Sequence, residues 1–198
     1  AAQVYARTSG RVGVAFATSG RGATNLVTGL ADAMVDSTPL VCITGQVVSH
    51  LLGTDAFQET DVVNVTIPVT KWNIQVTRAE DIPEAIAKAF YIARTGRPGP
   101  VLVDITKDAQ FGKADFQYIP CVQIKTYRPK PELDPAQVDA AAKLINASKK
   151  PYLVIGQGVI LAGATRELEA FVDQTGIPAG STLLCLTPLI DSEPGAIL

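Results

Sequence analysis

Histidine is almost absent from this 198-residue chain: His50 is the only one. A metal centre built on several histidines therefore cannot be assembled from these residues. Cysteine is scarce as well. Cys42, Cys121 and Cys185 lie far apart, with no CxxC pair and no disulfide framework. That usage points to a reducing, cytoplasmic setting. Neither charge is in excess: 17 Lys+Arg stand against 19 Asp+Glu, for a net charge of −2. This excludes the basic footprint of a nucleic-acid binder. No apolar run approaches the roughly 18 residues of a membrane span. The opening residues show neither the basic region nor the apolar stretch of a secretory signal. What is present is a chain with 47% hydrophobic residues, enough to bury a core. It begins Ala1-Ala2-Gln3-Val4-Tyr5 inside a helical pattern and stops at Gly195-Ala196-Ile197-Leu198 without polar closure. An internal piece of a longer protein is expected.

Apolar strand-like runs alternate with amphipathic stretches. Val12–Ala17 reads as a strand, broken by Thr18-Ser19-Gly20-Arg21-Gly22. Ala23–Val35 has helical spacing, with Leu26, Val27, Leu30, Ala31 and Met34 on one side. Leu40–Thr44 reads as a second strand closed by Gly45, and Val62–Val69 as another strand-like segment. Asp81 with Glu84 forms a capping signature for a helix through Ala85–Arg94 that stops at Gly96. Val101–Ile105 follows as a strand. Unbroken apolar strands alternating with helices predict an α/β fold with doubly wound, mostly parallel sheets.

From about Gly112 to Pro131 the pattern lapses and Pro120, Pro129 and Pro131 punctuate it, which reads as an inter-domain linker. A second α/β unit then begins. Asp134-Pro135 is an N-cap with Pro at the first helical position. Tyr152–Ile155 reads as a strand running into Gly156-Gln157-Gly158. A helix near Thr165–Gln174 ends at Gly176, and Ile177–Leu184 is the next expected strand. The domain reading is residues 1–112, a linker at 113–132, and a second partial domain at 133–198.

Ligand sites in such folds collect at the carboxyl ends of strands. Four segments stand there or beside glycine-rich turns. Thr18–Asn25 offers backbone N–H groups to a ligand, or simply a tight strand–helix turn; it is neither GxGxxG nor a Walker loop. Gly156-Gln157-Gly158 is a lone GxG. In Gly53-Thr54-Asp55-Ala56-Phe57-Gln58-Glu59-Thr60, Phe57 is either an apolar wall beside an amide or a core plug. Arg97, between Gly96 and Pro98, is either a rigid anion or flavin contact or a solvated turn residue. Lys107 ends a strand, where it can greet a carboxylate or stay in solvent. Asp104 and Asp108 form no persuasive acid–base pair, and His50 has no partner.

Read together, the segments resemble one family. Tyr5-Ala6-Arg7, Thr18–Asn25, Thr28–Ala33, Ile43-Thr44-Gly45-Gln46-Val47, the specific string GTDAFQET, Thr70-Lys71-Trp72-Asn73, Gly96–Asp104 and Lys107-Asp108 resemble the acetohydroxyacid synthase (acetolactate synthase) catalytic subunits. Gly156–Gly158, Gly176-Ile177-Pro178 and Ser181-Thr182-Leu183 extend the likeness. The resemblance implies a thiamine-diphosphate-dependent transferase of branched-chain amino acid (isoleucine and valine) biosynthesis. It condenses the hydroxyethyl unit from pyruvate, carried on thiamine diphosphate, with a second 2-oxo acid, pyruvate or 2-oxobutyrate. It implies part of a pyrimidine-binding domain followed by the start of a Rossmann-like central FAD-binding domain. Magnesium is implied too, with ligands outside this chain. A homodimer with the active site at the subunit interface and a regulatory small subunit are further implications.

By the same resemblance, Gln58 orients substrate during ligation, Phe57 walls the access channel and Lys107 stands at its mouth. Arg97, Gly156, Gln157, Gly158, Thr182 and Leu183 match flavin contacts, and Gly22 and Asn25 lie near the aminopyrimidine. Several positions depart from the family pattern. Arg21, Val48 and Thr106 replace prolines, Gln157 replaces a common glycine, and Cys185 and Thr187 replace glycines. The activating glutamate and the diphosphate–metal motif are not in the chain, so the isolated chain is expected to be inactive. The alternatives are another thiamine-diphosphate-dependent decarboxylase or carboligase, or a non-catalytic truncated binding module. GTDAFQET favours the synthase.

Overall fold

The computed structural model describes residues 1–185 and resolves them into two compact units, one spanning Ala1–Pro131 and a second beginning at Glu132. The first unit is an α/β layer. Helix α1 (Ala2–Ser9) ends at Gly10, whose φ of 67° satisfies a left-handed cap. Then come β1 (Gly13–Ala17), α2 (Arg21–Thr24), α3 (Val27–Val35), β2 (Leu40–Gln46), α4 (Val62–Thr66), β3 (Trp72–Val76), α5 (Ile82–Arg94), β4 (Pro100–Thr106) and α6 (Lys107–Phe111). The four strands form one parallel sheet in the order β1-β2-β4-β3.

The two central strands, β2 and β4, are covered on both faces, as parallel strands require. Leu30 of α3 and Val62 of α4 pack on Cys42 and Leu102. Ala85, Ala89, Ile92 and Ala93 of α5 pack on Val41, Val101 and Val103 of the opposite face. All seven residues of β4 are buried, which explains its apolar run, broken only by Asp104 before Thr106. Burying each such Val or Leu contributes about 1.5–3 kcal/mol.

Several expectations need correction. Ala23–Val35 is two helices, because at Leu26 the N–H bonds Ala23 rather than continuing the α ladder. Gly45 lies inside β2 and does not close it. Val62–Val69 is helical, not extended. The Asp61 carboxylate accepts the Asn64 N–H at 3.1 Å and opens α4, and a single 3-10 turn, Ile67–Val69, carries Pro68. The third strand is instead Trp72–Val76, whose apolar–polar alternation marks a half-buried edge strand. Asp81 makes no side-chain cap; a 3-10 turn over Ala79–Asp81 runs directly into α5, and Glu84 pairs with Lys88.

The stretch read as a linker is partly docked. Ile124 packs against the α5 face of the core. Tyr127 donates to Thr95 O at 2.8 Å and stands edge-on to Tyr91. Lys71 Nζ donates to Thr95 O and to the Tyr127 hydroxyl at 2.8 and 3.2 Å.

The second unit holds α7 (Pro135–Ala147), β5 (Leu153–Ile155), α8 (Gly158–Ala162), α9 (Thr165–Thr175) and β6 (Ala179–Ser181). The Asp134 carboxylate caps α7 through the Ala136 N–H at 3.0 Å, with Pro135 just inside. β5 and β6 pair in parallel. Only residues 179–181 of the expected strand at Ile177–Leu184 are extended; a 3-10 turn, Leu183–Cys185, follows. Ile155, Ala179 and Cys185 form a small core with Leu168 and Val172 of α9. Among the described residues no helix is long and apolar enough to cross a membrane.

Candidate functional site at the carboxyl ends of the strands

Because the four strands are parallel, the loops after β1, β2 and β4 emerge at one edge of the sheet. Five of the sequence-predicted residues stand there: Gly22 and Asn25 after β1, Phe57 and Gln58 in the long connection after β2, and Lys107 at the end of β4. Arg97 does not. It precedes β4 and so sits at the opposite edge. Its Nε donates to Ser37 Oγ at 2.8 Å, and its Nη2 to Met34 and Val35 carbonyls, closing the C-terminus of α3.

The loop after β2 is held by its own glutamate. Glu59 accepts the backbone N–H groups of Gly53, Thr54 and Ala56, the last two at 3.2 and 3.0 Å. These bonds, that of Gly53 first, hold its carboxyl below the usual carboxylate range. Two residues, Asp55 and Gln58, take left-handed backbone conformations at φ 57° and 63°. Each costs roughly 1–2 kcal/mol for an L residue, and the Glu59 bonds span the turn that holds them. The turn leaves Phe57 86% exposed, so it does not plug the core. Gln58 is exposed as well.

The loop after β1 meets the loop after β2. A Cβ on Gly20, itself at φ 64°, would stand 3.0 Å from the Gln58 carbonyl oxygen and 3.1 Å from its Cβ. One on Gly22 would stand 2.7 Å from Thr18 Cγ2. The Gly22 side is therefore filled by the turn itself, and the glycine there serves close packing.

Beneath these loops lies a buried polar row. Asp104 in β4 accepts Thr44 Oγ1 at 2.7 Å on one oxygen. It accepts Gln46 Nε2 and Gln75 Nε2 on the other, at 3.2 and 3.1 Å. Burial pushes its carboxyl up, against those three hydrogen bonds. Gln46 Nε2 also donates to Thr60 O at 2.7 Å, and Gln46 Oε1 accepts the Val47 N–H at 2.8 Å. The Lys107 N–H reaches Val47 O at 3.4 Å. Next to Lys107, Asp108 accepts the Ser49 N–H at 3.0 Å and the Ser49 hydroxyl. These bonds hold Asp108 well below the usual carboxylate range. Gln46, Glu59 and Asp104 stand within segments that carry the resemblance, but none of them is assigned a role by it. A lone carboxylate inside the apolar run Val-Leu-Val-Asp-Ile is the signal for Asp104.

In the second unit, Gly156, Gln157 and Gly158 follow β5, and Thr182 and Leu183 follow β6, so all five stand at one edge of that two-stranded sheet. The Thr182 N–H donates to Ile155 O at 2.9 Å. A Cβ at Gly156 or Gly158 would meet nothing within 4 Å. Packing does not demand these glycines, and the bare main chain is open to a ligand, as a flavin cradle needs. Cys185 is fully buried among Ile155 and Ala179, so its side chain is absorbed by the core. Thr187 lies outside the described residues. At Val48 and Thr106, φ is −62° and −66°, the value a proline would impose. Arg21 is exposed. Among the described residues no three His, Cys, Asp or Glu side chains converge to hold a metal ion. The described residues therefore form no magnesium site.

Comparison with known proteins agrees with this architecture. Residues 1–65 match the family described as "Thiamine pyrophosphate enzyme, N-terminal TPP binding domain". Residues 138–197 match "Thiamine pyrophosphate enzyme, central domain". The chain is 56% identical over 193 residues to an acetolactate synthase large subunit of Corynebacterium glutamicum, covering 98% of this chain and 31% of that protein. It is 50% identical over 189 residues to a chloroplastic acetolactate synthase of Arabidopsis thaliana, covering 94% of the chain and 28% of the relative. It is 47% identical over 187 residues to a probable acetolactate synthase large subunit of Methanocaldococcus jannaschii, covering 93% and 32%. The chain thus spans about a third of the length of the curated relatives it matches. It belongs to the thiamine pyrophosphate enzyme family, of whose N-terminal and central domains it carries parts.

Proposed function

We propose that the whole protein is an acetolactate synthase catalytic subunit. It joins the two-carbon unit of pyruvate to a second 2-oxo acid, pyruvate or 2-oxobutyrate, in branched-chain amino acid biosynthesis in the cytoplasm. The observation that carries this is the loop Gly53–Thr60, whose Gln58 is pressed against Gly20 at the sheet edge, in a chain 56% identical to a large subunit of that name. Residues 1–112 belong to the pyrimidine-binding domain, 113–132 to a linker and 133–198 to the central domain.

Thiamine diphosphate, when bound, supplies the carbanion chemistry that side chains lack. This chain's residues do the binding and orienting. The exposed Gln58 amide has donor and acceptor to align the second substrate. Phe57 presents an apolar wall, and the Lys107 ammonium attracts a 2-oxo carboxylate. Gly22 and Asn25 border the aminopyrimidine. In the second unit Gly156, Gln157, Gly158, Thr182 and Leu183 hold FAD; Arg97, in the first unit, is a flavin contact on the family resemblance alone. Magnesium, a second copy of the catalytic subunit and a regulatory small subunit complete the enzyme.

The test is direct. The whole protein, supplied with pyruvate, thiamine diphosphate, Mg2+ and FAD, is expected to form acetolactate. The 198-residue chain alone is expected to form none. No acetolactate from the whole protein, with acetaldehyde as the only product or no turnover, overturns the proposal.

A further inference from the structure

The buried row beneath the site points past packing. Thr44, Asp104 and Gln75 lie side by side on three neighbouring strands. Asp104 is fully buried and meets no cation among its hydrogen-bond partners, only one hydroxyl and two amides. A buried carboxylate satisfied only by neutral donors contributes little net stability. It does fix the direction of each donor. Gln46, also buried, has every polar atom of its amide engaged. Its Nε2 serves Asp104 and Thr60 O, and its Oε1 takes the Val47 N–H. Thr60 closes the loop that carries Gln58, and Val47 O receives the N–H of Lys107.

We propose that Asp104 is a positioning residue that locks the Gln46 amide, and through it holds the loop of Gln58 and the backbone of Lys107 in their working places. The geometry makes the chain of command specific. If the Gln46 amide turns over, its oxygen faces Thr60 O and its nitrogen faces the Val47 N–H, so both contacts turn repulsive. Asp104 blocks that turn because it accepts and cannot donate when ionised. The catalytic consequence rests on the assignment of Gln58 and Lys107 given above; the positioning itself does not.

The experiment uses the whole protein with Asp104→Leu, Asp104→Asn, Gln46→Met and the Asp104→Leu/Gln46→Met double variant. Hydrogen exchange of residues 53–60 reads the loop, and kcat/KM for acetolactate formation reads the site. Asp104→Leu and Gln46→Met are each expected to speed exchange over 53–60 and lower kcat/KM roughly 10- to 100-fold. The double variant is expected to be no worse than Gln46→Met. Asp104→Asn is the conservative rescue. Its oxygen can accept from both glutamines while Thr44 accepts from its amide, so it is expected to keep most of the exchange protection and activity. Leu102→Ala, two residues away on β4, is expected to lower stability but leave exchange at 53–60 unchanged. Wild-type exchange in Asp104→Leu or Gln46→Met overturns the proposal. So do losses that multiply in the double variant, or an Asn variant as impaired as Leu. If Asp104→Leu does not fold, Gln46→Met alone decides. A wild-type protein that makes no acetolactate fails the functional proposal, while exchange at 53–60 still decides this one.

Discussion

Gly20 and Gln58 are packed backbone to backbone. A methyl group on Gly20 would stand 3.0 Å from the Gln58 carbonyl oxygen and 3.2 Å from its Cα. Both residues have positive φ, 64° and 63°, and Gly20 with ψ −122° lies where glycine is strongly favoured. The loop after β1 and the loop after β2 therefore share one surface.

Gly20→Ala tests this contact. The substitution places a Cβ at positive φ and against main chain that cannot swing aside. The expected cost is about 1–3 kcal/mol, read as a lower midpoint in denaturant unfolding. The displaced Gln58 is expected to lower acetolactate formation by the whole protein more than the stability loss explains. An alanine variant with wild-type stability would show that the contact is slack.

Glu59 ties the loop to pH. Its carboxyl is lowered from 4.5 in the folded state by the N–H groups of Gly53, Ala56 and Thr54. A depressed carboxylate contributes stability that is present above the unfolded value and lost as pH falls through the folded value. Exchange of residues 53–60 is therefore expected to quicken once pH falls below about 4 relative to the rest of the sheet. Glu59→Gln is expected to show the faster exchange at every pH.

Asp104 works in the other direction. Burial raises its carboxyl above 3.8 despite three hydrogen bonds. A raised carboxyl contributes stability below the unfolded value, and that contribution is lost as pH rises through the folded value. Unfolding free energy measured from pH 3.5 upward is expected to show a decline belonging to this group, and Asp104→Asn is expected to remove it. An identical pH profile in the two proteins would contradict the burial argument.

Tyr127 fastens the chain after α6. Tyr127→Phe removes the bond to Thr95 O and the acceptor for Lys71, at a cost of roughly 1 kcal/mol. Limited proteolysis within residues 113–131 is expected to accelerate while cleavage inside β4 does not.

The parallel sheet was legible because β1, β2 and β4 are apolar runs, the latter two largely buried, and α5 has a plain amphipathic stripe. Trp72–Val76 escaped because a polar–apolar alternation looked unremarkable beside the stronger apolar run at Val62–Val69. That run is helical because the Asp61 cap and Pro68 outweigh its β-branched composition. The placement of Gln58, Phe57 and Lys107 at one edge follows from strand direction and was readable. The Asp104–Gln46–Thr60 connection was not. It joins residues 58 and 14 positions apart, and only the strand register brings them together.

The central claim is that the edge holding Gln58 is the ligation site of a carboligase. Gln58→Ala in the whole protein, assayed with pyruvate for acetolactate and acetaldehyde together, tests it most directly. The predicted result is loss of acetolactate with pyruvate still consumed and acetaldehyde rising in its place. An unchanged yield of acetolactate from the alanine variant would contradict it.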